Sequence, residues 1–242
     1  MWDPAVYSRF GNERSRPFFD LVQRVGAEKP REVVDLGCAT GELTLTLADR
    51  WPGARVTGID SSPEMVAKAV ADVTLADIAD WRPGPETDVV VTNAALQWVD
   101  EHRELLPEWI AALPAGAWFA MQVPGNFDSP GHRVVRAMAP ELNRENPVGE
   151  PDEYARLLLA AGAEVDAWET TYLHLLPFAD GEDHPVVRWM EGTALRPIRA
   201  ALGDEEWRSF REEFADRIAE VHPVRDGLVA FPFRRIFVVA HK

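Results

Sequence analysis

Apolar and polar positions change period repeatedly along the chain. Residues 4–25 set Val6, Phe10, Phe18, Leu21, Val22 and Val25 at mixed helical spacings interrupted by Gly11 and Pro17, which predicts two short helices or one bent helix. Residues 31–37 are a short apolar run ending in glycine and read as a buried strand. Leu43, Leu45 and Leu47 alternate with threonines as a strand would, yet Leu43 and Leu47 also share a helical face. The glycine turn before them and Trp51-Pro52-Gly53 after them decide for a helix. Residues 54–60 form a second strand, and Ser62-Pro63-Glu64 opens a helix with a cap, a proline in the first turn and an acid. Further strands are predicted at 73–75, 87–93, 117–123 and 164–175, with helices at 100–112 and 151–162 between them. Residues 178–231 break the alternation: they read as helical, are rich in tryptophan and arginine, and are bounded by prolines. A last strand covers 234–240.

Strands alternating with helices predict an α/β sandwich, Rossmann-like, with a mainly parallel sheet and helices on both faces. Residues 1–242 are read as a single domain, with 1–30 an N-terminal helical segment and 178–231 a helical lid inserted before the last strand. No repeat or low-complexity tract is visible.

Charge and cysteine content narrow the function classes. Twenty-five basic against 40 acidic residues give a net charge of −15, which argues against nucleic-acid or anionic-membrane partners. A few arginines in one pocket still suffice for a small anion. The lone cysteine, Cys38, excludes an intrachain disulfide and favours a reducing, cytoplasmic setting. The start lacks a signal-peptide pattern, and the most apolar stretch, 111–123, is too short to span a bilayer and holds Pro114 and Gly116. A cytoplasmic monomer is the expectation.

The chemistry is concentrated where the first strand ends. Asp35-Leu-Gly37-Cys-Ala-Thr-Gly41 places two glycines between strand and helix, where main-chain N–H groups can meet a ligand that approaches closely. Asp60 ends the second strand, 19 residues after Gly41, where a carboxylate can accept both hydroxyls of a ribose. A nicotinamide dinucleotide requires G-x-G-x-x-G, and Asp35 would repel its pyrophosphate. A ligand with an ammonium and a sulfonium suits that acid. The loop resembles motif I of the class I S-adenosylmethionine-dependent methyltransferases, D-x-G-x-x-x-G, and with it the expected seven-stranded sheet. That resemblance implies cofactor contacts from Asp35, Gly37, Gly41, Asp60 and Ser61, and adenine held by Asp77 and Ile78 after the third strand. It also puts Asn93, at the end of the fourth strand, at the methyl-transfer cleft.

A closer resemblance runs from end to end. Six segments carry it: Trp2-Asp-Pro-Ala-Val-Tyr7 with Phe10 and Glu13-Arg-Ser-Arg16-Pro; Ile59-Asp-Ser-Ser-Pro63; Asn93-Ala-Ala-Leu-Gln-Trp98; Trp168-Glu-Thr-Thr-Tyr172-Leu-His174; Thr193-Ala-Leu-Arg196-Pro197; and Phe231-Pro-Phe-Arg-Arg-Ile-Phe-Val-Val-Ala240. In this the chain is similar to the trans-aconitate methyltransferase family. The resemblance implies methyl transfer from S-adenosylmethionine to a carboxylate of a small tricarboxylic acid. It also implies substrate contacts from Arg196, Arg16, Trp98, Tyr172, His174 and Trp189, and no acid or base catalyst. Ala39-Thr40 departs from the third glycine or proline found in many methyltransferases, which alters the stiffness of the turn.

Each assignment has a plainer counterpart. The lid offers Arg188, Trp189, Arg196 and Arg199 as clamp or cover, with Arg196 the leading clamp, yet Arg196 can equally be an ordinary exposed lid arginine. Arg14 and Arg16 can pair with neighbouring acids such as Glu13, and Tyr7 and Phe10 can be core packing, although in this fold an N-terminal segment can cover the cofactor. Cys38 reads as a small buried thiol rather than a nucleophile, and His102, His132, His184 and His222 lack metal-ligand spacing. The competing functions are a methyltransferase acting on another small molecule, a non-catalytic S-adenosylmethionine-binding module, and a nicotinamide oxidoreductase with the wrong glycine spacing.

Overall fold

The computed structural model describes residues 11–142, 147–179 and 181–242, with side chains from Ser15 onward. The predicted roles of Tyr7, Phe10 and Arg14 lie outside the residues whose side chains are described. In chain order the elements are α1 (Gly11–Val22), β1 (Glu32–Leu36), α2 (Glu42–Arg50), β2 (Arg55–Asp60), α3 (Pro63–Val66), β3 (Val73–Leu75), β4 (Thr87–Asn93), α4 (His102–Ala112) and β5 (Trp118–Pro124). They continue with α5 (Pro130–Met138), α6 (Pro151–Ala160), β6 (Glu164–Pro177), α7 (Pro185–Glu191), α8 (Arg196–Ala201), α9 (Asp204–Val221), β7 (Val224–Arg225) and β8 (Leu228–His241).

The strands form one sheet in the order β3-β2-β1-β4-β5-β8-β6, with β7 added against β8. Strands β1 to β5 pair in parallel, and β8 runs antiparallel to β5, from Trp118 opposite His241 to Pro124 opposite Arg235. The expected seven strands are thus joined by an eighth, β7. Every residue of β1 is buried, as are nearly all of β4 and β5, which is why they read as continuous apolar runs: a central parallel strand is covered on both faces.

The chain divides into two compact units. One comprises Arg14–Pro124, Pro147–Thr170 and Arg235–Lys242. Its core packs Val34, Leu36, Val90, Phe119, Met121 and Val238 with Leu106 and Trp109 of α4 and Tyr154 and Leu158 of α6. The other includes Thr171–Arg234 and the described part of Gly125–Asn146. It has its own core of Val135, Val187, Trp189, Ile198, Phe214, Ile218 and Phe231.

Two sequence expectations need correction, and one helix had no counterpart among them. Pro17 does not interrupt α1, which runs through it. Interior proline costs about 3 kcal/mol, but burial of Phe18, Leu21 and Val22, at about 1.5–3 kcal/mol each, outweighs that. Residues 178–231 are not helical to their end, because β7 and the start of β8 form a hairpin there. Its turn is Asp226-Gly227, both at positive φ (52° and 72°), a strong hairpin signal that the surrounding helical pattern obscured. Helix α5, left unassigned by the apolar periodicity, starts at Ser129-Pro130 and buries His132 and Val135.

Candidate active site

The turn after β1 is built by main-chain geometry. Gly37 and Gly41 sit at φ 77° and 78°, and the Gly37 and Cys38 N–H groups both donate to the Ile59 carbonyl, at 2.8 and 3.1 Å. A Cβ on Gly37 would lie 2.3 Å from that of Ala95, in the turn after β4, and one on Gly41 would lie 2.7 Å from that of Ala71. Both glycines are therefore demanded by torsion and by close approach, whatever ligand is present. Ala39 adopts φ 53°, a conformation that favours glycine, so the departure from the usual third glycine falls at a position where the backbone still takes the glycine-like shape.

Two carboxylates flank the turn. Asp60, the last residue of β2, accepts from Ala39 N at 2.8 Å through Oδ2 and from Ser62 N at 2.9 Å through Oδ1. One bond to each oxygen orients the group and leaves about two of its roughly four acceptor positions for a diol. Asp35 is 3% exposed, and its Oδ2 accepts from the Thr44 hydroxyl at 2.6 Å. Burial pushes its pKa up to about 6; the Thr44 hydrogen bond opposes this, and the charge of Asp60 adds to it. Thr44 explains the misleading alternation in α2: the helix turns a threonine inward because a buried carboxylate needs a donor, and Leu45 faces solvent, 44% exposed.

The remaining expected cofactor residues lie along the same ends of the strands. Ser61 is exposed at the bend after β2, while Ser62 caps α3 by accepting from Met65 N at 3.3 Å. Asp77, exposed after β3, accepts from Ala79 N at 2.9 Å, and Ile78 beside it is buried. Asn93 ends β4, and its Oδ1 is buried with no partner among the described residues. Ala94 follows at φ 54°, tied through its N–H to the Gln122 carbonyl at 2.8 Å. The structure thus brings Asp35, Gly37, Gly41 and Asp60 together around one turn, with Asn93 following on the adjacent β4. Thr44, Gln97 and Gln122 were missed. Gln97 Nε2 donates to the Ala94 carbonyl at 2.6 Å, and Gln122 sits inside an apolar strand run, so no local pattern distinguishes either.

Of the expected substrate residues, Trp98 is half-exposed in a short 3-10 turn after β4. Arg16 lies on α1, 3.8 Å from Asp20, an acid other than the one its neighbours suggested. In the helical unit Tyr172 and His174 share one face of β6, as spacing of two predicts, and both are buried. His174 stacks on Trp189 at 5.1 Å, and Phe231 and Phe233 close the group. Arg199 pairs with Asp204 at 2.6 Å and Arg188 with Glu182 at 3.4 Å. Arg196, the first residue of α8, is exposed and has no carboxylate within ion-pairing distance among the described residues.

Cys38 is half-buried against Gly58, where an added Cβ would meet its sulfur at 2.5 Å. Burial, with Asp35 and Asp60 nearby, pushes its thiol up to about 12. No described helix is long and apolar enough to cross a membrane.

Comparison with known proteins places this geometry in a family. A family model described as a methyltransferase domain matches residues 10–167. The chain is 53% identical to the trans-aconitate 2-methyltransferase of Mycobacterium sp. strain KMS, over 99% of both chains. It is 51% identical to that of Mycobacterium tuberculosis strain ATCC 25177 / H37Ra, over 99% of this chain and 96% of the relative. Among solved structures it resembles in fold the YcgJ protein of Bacillus subtilis (TM-score 0.59, 14% identity, 94% of this chain and 98% of that one). A phosphoethanolamine N-methyltransferase of Haemonchus contortus in complex with S-adenosyl-L-methionine is a further likeness in fold (TM-score 0.57, 13% identity, 93% of this chain and 52% of that one). The chain belongs to the trans-aconitate 2-methyltransferase family.

Proposed function

We propose that the protein transfers a methyl group from S-adenosylmethionine to a carboxylate of trans-aconitate, giving a monomethyl ester and S-adenosylhomocysteine. The observation that carries this reading is identity of 53% sustained over 99% of both chains, so that the glycine turn and the helical segment are matched together. The turn fits the donor on its own terms. Asp60 keeps about two acceptor positions for a ribose, and Asp35 adds negative charge where a cation rather than a pyrophosphate belongs. Asp35, Gly37, Gly41, Asp60 and Ser61 would hold the amino-acid and ribose parts, Asp77 and Ile78 the adenine, and Asn93 the side facing the acceptor. Bound there, S-adenosylmethionine supplies an electrophilic methyl group on a positively charged sulfur.

The chain's own task is then positional. A free carboxylate with a pKa near 4 is ionised at neutral pH, so no general base is required. Good alignment is worth about 7–11 kcal/mol, and exclusion of water keeps the carboxylate nucleophilic. The carboxylates that do not react need fixed cations, and Arg196 is the arginine of the helical unit best suited, being exposed and without an acidic partner among the described residues. Arg16, Trp98, Tyr172, His174 and Trp189 complete the proposed acceptor set on the strength of the family resemblance.

A labelled-methyl assay across di- and tricarboxylic acids, with the ester located by mass spectrometry, tests the reading. Trans-aconitate is the expected best acceptor, and a neutral acceptor preferred over every acid would overturn it. Arg196→Ala is expected to raise KM for trans-aconitate about 10- to 100-fold, the worth of a hydrogen bond to a charged group, while donor affinity is unchanged.

A further inference from the structure

Gln122 lies in β5 beside Asn93 of β4 in the strand register, and it is completely buried. Its Oε1 accepts from the guanidinium of Arg235 at 3.5 Å. Arginine only donates, so this contact fixes which end of the amide is the oxygen and turns the nitrogen away. Among the described residues that nitrogen, Nε2, has no hydrogen-bond partner, and neither does Asn93 Oδ1 on the neighbouring strand. Buried polar atoms nearly always find partners, so an unmatched donor two residues before the carboxyl end of β5, near the edge where ligands of open α/β sheets bind, calls for a ligand.

Strand order separates two ligands. The glycine turn follows β1, Asp60 ends β2 and Asp77 follows β3, so the donor's expected contacts lie mainly on the β1–β3 side of the sheet and reach no further than Asn93 on β4. Gln122 is two strands beyond β1, roughly 10 Å at the usual strand spacing, on the other side of the point where strand order reverses. The chemistry separates them as well: the Asn93 oxygen suits the donor's ammonium, whereas the Gln122 N–H suits an anion.

We infer that Gln122 is a substrate-positioning residue whose Nε2 donates to a carboxylate oxygen of the acceptor acid. The inference rests on the methyl-transfer reading above. A neutral amide holds a carboxylate without neutralising it, which keeps the attacking oxygen nucleophilic in a way that an arginine contact would not.

The test uses the full-length protein and the variants Gln122→Met and Gln122→Glu. Calorimetry gives the affinity for S-adenosylhomocysteine and for trans-aconitate on the S-adenosylhomocysteine-saturated enzyme, and steady-state assays at saturating donor give KM and kcat. S-adenosylhomocysteine affinity should stay within about threefold. The KM for trans-aconitate should rise about 10-fold in Gln122→Met, and about 100-fold in Gln122→Glu at pH 7.5, where carboxylate would face carboxylate. An unchanged KM with intact S-adenosylhomocysteine binding overturns the inference alone. Parallel loss of S-adenosylhomocysteine affinity in both variants also overturns it, by assigning Gln122 to the donor subsite or to the fold. A wild-type protein that neither binds nor methylates trans-aconitate overturns both this inference and the function on which it rests.

Discussion

The hydroxyl of Thr44 donates to the buried carboxylate of Asp35 at 2.6 Å, joining the first turn of α2 to the end of β1. Replacing it by valine leaves a buried carboxylate without that donor. Thr44→Val should cost about 1–3 kcal/mol in urea denaturation and weaken donor binding, while Thr44→Ser should lose much less on both counts.

Asp35 also predicts how donor binding depends on pH. Its pKa in the folded protein, about 6, is raised above the ordinary value near 3.9, so its contribution to stability is full below about pH 4 and is lost as the pH rises through 6. At neutral pH the site therefore holds a destabilised negative charge, and a cationic ligand relieves it. Calorimetric affinity for S-adenosylmethionine should rise between pH 5 and 7 and level off above. In Asp35→Asn that slope should disappear and affinity should be low throughout.

Gly37 and Gly53 form a matched pair of tests. A methyl group at Gly37 meets both a positive φ of 77° and Ala95 at 2.3 Å, whereas at Gly53 nothing lies within 4 Å. Gly37→Ala should lose about 2 kcal/mol or more of stability, together with donor binding. Gly53→Ala should alter neither by a measurable amount. Equal effects would mean that the turn is softer than its geometry implies.

Away from the turn, His102 and Tyr154 link α4 to α6. His102 Nδ1 lies 2.7 Å from the Val99 carbonyl and Nε2 lies 2.9 Å from the Tyr154 hydroxyl, which also accepts from Gly149 N at 2.9 Å. Donation from Nδ1 to the carbonyl leaves Nε2 to accept from the tyrosine, so the network is complete only with neutral histidine. Tyr154→Phe should cost about 1–3 kcal/mol in thermal or chemical denaturation and leave kcat unchanged.

Acid stability follows from the same burial. The pKa values of His102, His132, His184 and His222 are all lowered, mainly by desolvation, His132 to about 4. A lowered histidine pKa means that the unfolded chain binds protons first. Stability is therefore full above pH 6.5 and declines as the pH falls towards 4. Asp35 contributes with the opposite sign below pH 6, but it is one group against four. Denaturation midpoints measured from pH 7 to 4.5 should fall steadily, and His132→Gln should flatten part of the slope.

Cys38 should behave as a packing residue. With its thiol pushed up to about 12, alkylation of the folded protein at pH 8 should be far slower than that of the unfolded chain. Cys38→Ser should keep activity, while Cys38→Leu should disturb the turn, because the sulfur already fills the space beside Gly58.

The alternating strands and helices, the glycine turn and the acids beside it are legible from residue order alone. Those are local matters: a glycine is needed wherever φ is positive, a central parallel strand is apolar throughout, and a proline after a serine starts a helix at Pro63. Local signals also misled where tertiary packing outweighed them, at Pro17, which burial of its neighbours overrides, and at Asp226-Gly227, hidden at the end of a helical stretch. It took the folded chain to show that Thr44 serves Asp35, that Arg196 lacks, among the described residues, an acidic partner like those of Arg188 and Arg199, and that Gln122 carries a buried donor beside Asn93. Each of these depends on strand register or on which carboxylate lies within reach of which cation. Residues brought together from distant parts of the chain leave no trace in the spacing of their neighbours.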